Sequence, residues 1–222
     1  MGGDKVTIVL RNFKNNDKSK FTARQTIIYL GVYFIIGIFL GAIAKYSDTV
    51  PSISESGIVF SIISDITTNI GIWIFAATLI SVMSRSPKYA ALEVLAFFVG
   101  MLLSYYIYSQ VLFGFFPTYY FIRWCAIALV SPIGAYIVWF SRGEGWGSAF
   151  CASLPIGLLL TQGYSFFYVF SMVLGFDLFS ALFLLVIMTK SKPQYLKVIP
   201  MVILIVIILR NTYLLSFLFG GL

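Results

Sequence analysis

The sequence contains no histidine among its 222 residues. Zinc proteases, membrane peptidases with a Ser–His or Cys–His pair and His-dependent lipid phosphatases all need an imidazole as base or ligand, so these classes are excluded. Cysteine is scarce as well. Cys125 and Cys151 both fall in apolar stretches, which predicts two small buried residues rather than a disulfide or a metal pair. We therefore predict a protein without metal, cofactor or catalytic residues.

Charged residues are scarce as well. Only 10% of the residues are charged, whereas about 25% is typical of a soluble domain. Hydrophobic residues make up 60% of the chain and aromatic residues 18%. Water cannot solvate a surface so poor in charge, so lipid must surround most of the chain. No nucleic-acid partner is expected, and the bilayer is the first predicted partner.

Apolar stretches of about the length of a transmembrane helix fill the chain after its first 24 residues. They cover residues 25–44, 58–83, 90–113, 119–140, 147–162, 168–188 and 198–217. We predict an all-α, polytopic bundle of about seven spans forming one membrane domain, 25–222. The second stretch is long, which suggests an interfacial first turn over 58–64. Ser86 followed by Pro87 predicts the start of the third helix.

The distribution of lysine and arginine predicts the orientation, because cytoplasmic segments are enriched in both. With the N-terminus inside, only Lys45 falls outside. The cytoplasmic cations are then Lys5, Arg11, Lys14, Lys18, Lys20, Arg24, Arg85, Lys88, Arg142, Lys190, Lys192 and Lys197. We predict a cytoplasmic N-terminus and an external C-terminus. The basic arm, residues 1–24, either rests on anionic lipid or docks a soluble partner.

Two charges cannot leave the predicted membrane. Asp177 lies between long apolar runs, and Arg210 follows the apolar run 198–209. An isolated carboxylate in hydrocarbon is costly, so Asp177 should be protonated, paired or facing a wet cavity. Because consecutive antiparallel helices usually pack together, we predict an ion pair between Asp177 and Arg210.

Other polar and aromatic residues fall in the predicted outer half of the bundle. Asp65 begins a polar stripe that includes Asn69, Arg123 lies near an outer helix end, and Tyr105 and Tyr106 lie at a similar level. One interpretation is an outward-facing cavity lined by aromatic rings with a few charged anchors. The other is an aromatic belt at the membrane surface with structural ion pairs. The candidate ligand- or ion-binding residues are Asp177, Arg210, Asp65, Asn69, Arg123, Tyr105 and Tyr106.

Three segments of the sequence resemble an uncharacterised family of small polytopic membrane proteins of Gram-positive bacteria. They are residues 84–91 (SRSPKYAA), 97–106 (FFVGMLLSYY) and 131–140 (SPIGAYIVWF). The resemblance implies a multi-pass protein of the bacterial plasma membrane and supplies no activity. Two functions have supporting features: a transport-type protein that binds a small solute or ion, or an accessory or scaffold subunit of a membrane complex. A third class, a histidine-free membrane enzyme that uses an acidic residue, stays open but has no supporting motif. A cavity reaching Asp177 would favour the first, and a dry Asp177–Arg210 bridge the second.

Overall fold

The computed structural model describes residues 23–50, 55–114 and 116–212, and within them it is built from eight α-helices and two short 3₁₀ turns. The helices are α1 (Ala23–Ser47), α2 (Glu55–Thr68), α3 (Ile70–Met83), α4 (Pro87–Phe113), α5 (Thr118–Val138), α6 (Trp146–Gly163), α7 (Met172–Met188) and α8 (Lys192–Asn211). The 3₁₀ turns, Trp139–Arg142 and Tyr164–Phe167, extend α5 and α6. The all-α prediction is confirmed. Residues 1–22 of the predicted basic arm lie outside the described residues. The predicted end of the seventh span does so as well.

Five helices (α1, α4, α5, α6 and α8) are long and apolar enough to cross a membrane. Helices α2 and α3 pass the same test only as a pair, which would make six, and α7 is a shorter apolar helix of 17 residues. The chain is therefore a multi-pass helical membrane protein. The count of seven spans and the orientation of the termini stay predictions.

The second predicted span is not one helix with an interfacial first turn. It breaks at Asn69, where α2 and α3 meet at an angle of 70°. The Asn69 side chain accepts a hydrogen bond from the Gly71 N–H at 3.1 Å and so caps the start of α3. Asparagine is among the most favoured residues at this position because its oxygen satisfies a backbone donor that the helix cannot. The predicted polar stripe from Asp65 to Asn69 therefore does not continue along one helical face.

The buried core forms two clusters that share helix α3. Trp73 and Ile80 of α3 join Phe97 of α4 in the first cluster, whereas Val82 of α3 joins Leu159 of α6 in the second. Helix α3 thus packs against α4 and α5 on one side and against α6 and α7 on the other. Cys125 and Cys151 are free, as predicted; Cys151 is buried and Cys125 half-buried.

Glycines bring α1 and α4 into close contact. A Cβ placed on Gly37 would collide with the Phe97 carbonyl oxygen, and one on Gly41 with the Met101 carbonyl oxygen. Gly100 of α4 lies equally close to the backbone of α1. Small residues allow such backbone contact between membrane helices, where dispersion rather than water drives association. The close contact places the end of α1 beside the second half of α4.

Candidate functional site

A cavity of about 500 Å³ lies among the first five helices. It is bordered by the end of α1, the end of α2, the start of α3, the second half of α4 and the start of α5. These segments share one end of the bundle, the end that the charge pattern predicts to be external. The lining side chains fall into an ion pair, five aromatic residues and a few hydroxyls.

The ion pair joins Lys45 and Asp48 at the end of α1, with Lys45 Nζ 3.5 Å from Asp48 Oδ2. The Tyr105 hydroxyl donates to Asp48 Oδ2 at 3.0 Å, and the Ser64 hydroxyl donates to Oδ1 at 2.7 Å. Lys45 Nζ also lies 5.0 Å from the centre of the Tyr105 ring. Both oxygens of the carboxylate therefore have partners, Tyr105 in the cavity wall and Ser64 outside it, and the pair contributes no net charge.

Aromatic rings form most of the remaining wall. Trp73 and Trp124 meet edge to face with ring centres 6.2 Å apart, and Tyr105 and Tyr106 do so at 5.1 Å. Tyr120 lines the cavity from the first turn of α5. An edge-to-face contact fixes two rings relative to each other and covers one face of one ring with the edge of the other. Thr67, Thr68 and Ser109 add hydroxyl groups to the lining.

Asp177 lies outside this lining, in the second turn of α7. It has no exposed surface, and neither carboxylate oxygen has a hydrogen-bond partner among the described residues. Its carboxylate packs against Gly71, where an added Cβ would collide with Oδ1. On the α6 side, Gly163 lies against the backbone of Asp177 and Leu178. Asp177 therefore faces the first turn of α3, at the helix break.

The predicted ion pair between Asp177 and Arg210 is wrong for this structure. Arg210 is exposed, and its guanidinium lies 4.3 Å from the centre of the Tyr164 ring. A guanidinium is attracted to an aromatic face, and Tyr164 occupies the 3₁₀ turn that follows α6. Among the described residues the ion pair found is that of Lys45 and Asp48.

The other predicted site residues lie partly at the cavity wall and partly away from it. Tyr105 and Tyr106 line the cavity, whereas Asn69 caps α3 beside it. Asp65 is exposed on α2, and Arg123 is half-buried and bonded to the hydroxyl of Tyr119. The structure thus brings two of the seven candidates to the cavity wall. Whether any of the seven binds a ligand stays a prediction.

Sequence reasoning missed Lys45 and Asp48 as a pair. The sequence predicted Lys45 to be a cation outside the membrane, and it suggested no role for Asp48. A signal was present, because opposite charges three residues apart at a helix end are within reach of each other. The contribution of Tyr105 and Ser64 to the pair had no such signal, since both come from other helices.

These features define a class, that of multi-pass helical membrane proteins with a cavity enclosed by several helices. More particularly, the chain belongs to the family described as "Family of unknown function (DUF6518)", which matches over residues 20–219. No curated protein and no solved structure matches the chain. The expected membership of an uncharacterised family is confirmed, whereas an origin in Gram-positive bacteria stays a prediction.

Proposed function

We propose that the protein binds a small solute of no net charge in the cavity among α1–α5 and takes part in moving it across the membrane. The cavity itself carries this proposal. Its volume of about 500 Å³ falls in the range of small-molecule sites, and its wall combines apolar rings with a few polar groups, as such sites do. The membrane is taken to be the bacterial plasma membrane that the family resemblance implies.

The charges of the wall support a neutral or zwitterionic solute. Lys45 and Asp48 cancel each other, and Asp48 already accepts from Ser64 and Tyr105. A solute with net charge would enter the site without a counter-charge and lose the solvation that water gives it. A zwitterion could instead align its own two charges with the existing pair. Trp124, which is half-buried, supplies ring surface for an aromatic or other apolar part, whereas Trp73 is only 3% exposed.

The accessory or scaffold function is less well supported. The observation expected to favour it was a dry bridge between Asp177 and Arg210, and that bridge is not formed between these two described residues. The cavity lining does not include Asp177 either, so the proposal does not use that residue as the anchor for the solute.

Tryptophan fluorescence offers a direct test, because two of the four tryptophans line the cavity. The purified chain in detergent, excited at the red edge of tryptophan absorption, would be titrated with benzyl alcohol and benzamide as neutral probes, phenylalanine as a zwitterion and benzoate as an anion. We expect saturable quenching by one or more of the neutral and zwitterionic probes and none by benzoate. A response to benzoate alone, or to no probe, would contradict the proposed solute class.

Two matched pairs of variants locate the binding. Tyr120→Ala removes a lining ring and should weaken binding roughly 2- to 10-fold, the worth of one aromatic contact. Tyr136→Ala removes a ring of similar exposure elsewhere on α5 and should leave the affinity for the probe unchanged. Thr68→Trp should fill the cavity and abolish binding, whereas Asp65→Trp, one turn away on α2, should not. Uptake of the bound probe into proteoliposomes then tests transport, and binding without uptake would contradict that part of the proposal.

A further inference from the structure

Asp177 is the buried carboxylate that the cavity does not use. Its position is fixed on two sides by glycine, with Gly71 of α3 against the carboxylate and Gly163 of α6 against its backbone. Both oxygens lack a partner among the described residues, although the side chain has no exposed surface. A buried polar group without a partner costs free energy, and a structure that retains one calls for an explanation in function.

The surroundings of Asp177 are those of a broken helix. Helices α2 and α3 meet at 70° at Asn69, so the last carbonyls of α2 and the first amides of α3 have no partner within their own helix. Two of these groups have partners elsewhere: the Thr67 carbonyl oxygen accepts from the Trp73 indole N–H at 2.9 Å, and the Gly71 N–H donates to Asn69. Gly71 lies in the first turn of α3, whose amino-terminal end carries partial positive charge and favours a negative carboxylate beside it. In membrane transporters, helix breaks of this kind supply backbone oxygens to bound cations.

A second oxygen donor lies on the same face of α7. Ser180 follows Asp177 by three residues, which places the two side chains about one turn apart on one face. Its hydroxyl is also fully buried and without a partner among the described residues. Three buried side-chain oxygens of α7 therefore remain available to a ligand.

The charge and the donor atoms together define the kind of ligand. The neighbouring helices α3 and α6 carry no charged residue. Helix α2 carries Glu55 in its first turn and Asp65, which is exposed, and Arg210 of α8 is stacked on Tyr164. A monovalent cation would neutralise the single carboxylate, whereas a divalent one would leave a buried positive charge. No three His, Cys, Asp or Glu residues lie together in the described part of the chain, and oxygen-only donors favour a hard cation.

We propose that Asp177, beside the first turn of α3, and Ser180, one turn further along α7, bind a monovalent hard cation such as Na⁺. The break connects this site with the cavity, because Thr67, Thr68 and Trp73 line the cavity while Gly71 contacts Asp177. A cation that draws Asp177 and the break together therefore also changes the cavity wall. This link rests on the proposed function, whereas the cation site does not.

Thermal unfolding of the full chain in detergent tests the site without any solute. Sodium chloride would replace choline chloride at constant ionic strength, since choline is too large for the site. At a Na⁺ concentration roughly five times the dissociation constant, mass action predicts a rise in Tm of about 2–4 °C. The rise should be lost in Asp177→Asn, reduced in Ser180→Ala and unchanged in the control Asp65→Asn, whose carboxylate is exposed.

Binding of ²²Na⁺ to the wild-type chain provides a measurement that does not depend on any variant folding. We expect about one ion per chain, displaced by unlabelled Na⁺ and not by an equal concentration of Ca²⁺. No bound ion, displacement by Ca²⁺, or a Na⁺ effect that persists in a folded Asp177→Asn variant would overturn the proposal. Failure of the solute titrations would leave these results unaffected, so the two proposals can fail separately.

Discussion

The close contact between α1 and α4 gives a prediction whose magnitude can be worked from the structure. In Gly37→Ala, the new Cβ would overlap the Phe97 carbonyl oxygen and lie 3.0 Å from the Met101 nitrogen. Both atoms belong to the backbone of α4, so no side-chain rotation can relieve the overlap and the two helices must move apart. Overpacking of this kind typically costs about 1–3 kcal/mol.

Gly31→Ala is the matched control on the same helix. Among the described residues nothing lies within 4 Å of a Cβ at Gly31, so this variant adds only the helix preference of alanine, worth up to about 1 kcal/mol. The two substitutions are chemically identical and six residues apart, so both gain this preference and it cancels in the comparison. We therefore expect their free energies of unfolding to differ by about 1–3 kcal/mol, the cost of the overlap at Gly37.

Thermal or denaturant unfolding in detergent, followed by circular dichroism, would measure the difference. For a chain of this length each kcal/mol moves Tm by about 2–4 °C, so a separation of several degrees is expected. Equal stability of the two variants, or a less stable Gly31→Ala, would refute the close approach of α1 to α4. Because α1 also carries Lys45 to the cavity, Gly37→Ala should weaken solute binding while Gly31→Ala leaves it intact.

Two further predictions concern buried hydrogen bonds at the opposite end of the bundle. Trp139→Phe removes the indole N–H that donates to the Ser84 carbonyl oxygen at 2.8 Å. The loss should lower the free energy of unfolding by about 1–3 kcal/mol. Trp146→Phe, at an exposed site, should lower it little. Gln194→Leu removes both bonds that its amide makes with the Gly145 backbone, at 3.0 and 3.1 Å, and should lower Tm by several degrees. Gln110→Leu, at an exposed site, should lower it little. Equal Tm values for the two tryptophan variants, or for the two glutamine variants, would contradict these assignments.

The helices could be predicted from the sequence because lipid imposes a simple requirement. A long apolar run in a membrane must satisfy its own backbone hydrogen bonds, and a helix does so. The start of α4 at Pro87 was also predictable, and the Ser86 hydroxyl accepts from the Tyr89 N–H at 3.3 Å as such a cap does. The break at Asn69 was missed because its apolar surroundings outweighed the capping signal of one asparagine.

The candidate site was harder to predict because it depends on which helices pack together. Asp177 was found because its depth in an apolar run follows from the chain alone. Its neighbour Gly71 was not, since that contact depends on how α7 packs against α3. The assumption that adjacent helices pair their charges failed at Arg210, where the Tyr164 ring provides an alternative partner.

The break at Asn69 also affects how thick the apolar barrier is at this place. Helix α3 has 14 residues and α7 has 17, so they measure about 21 Å and 25 Å along their axes. The hydrocarbon layer of a bilayer is about 30 Å thick. Neither helix fills that thickness, and Asp177 lies only about 8 Å along the axis from the start of α7. With the start of α7 at the edge of that layer, an ion entering from that end would reach the carboxylate after about a quarter of the layer's thickness, and much of the transmembrane voltage would fall beyond the site.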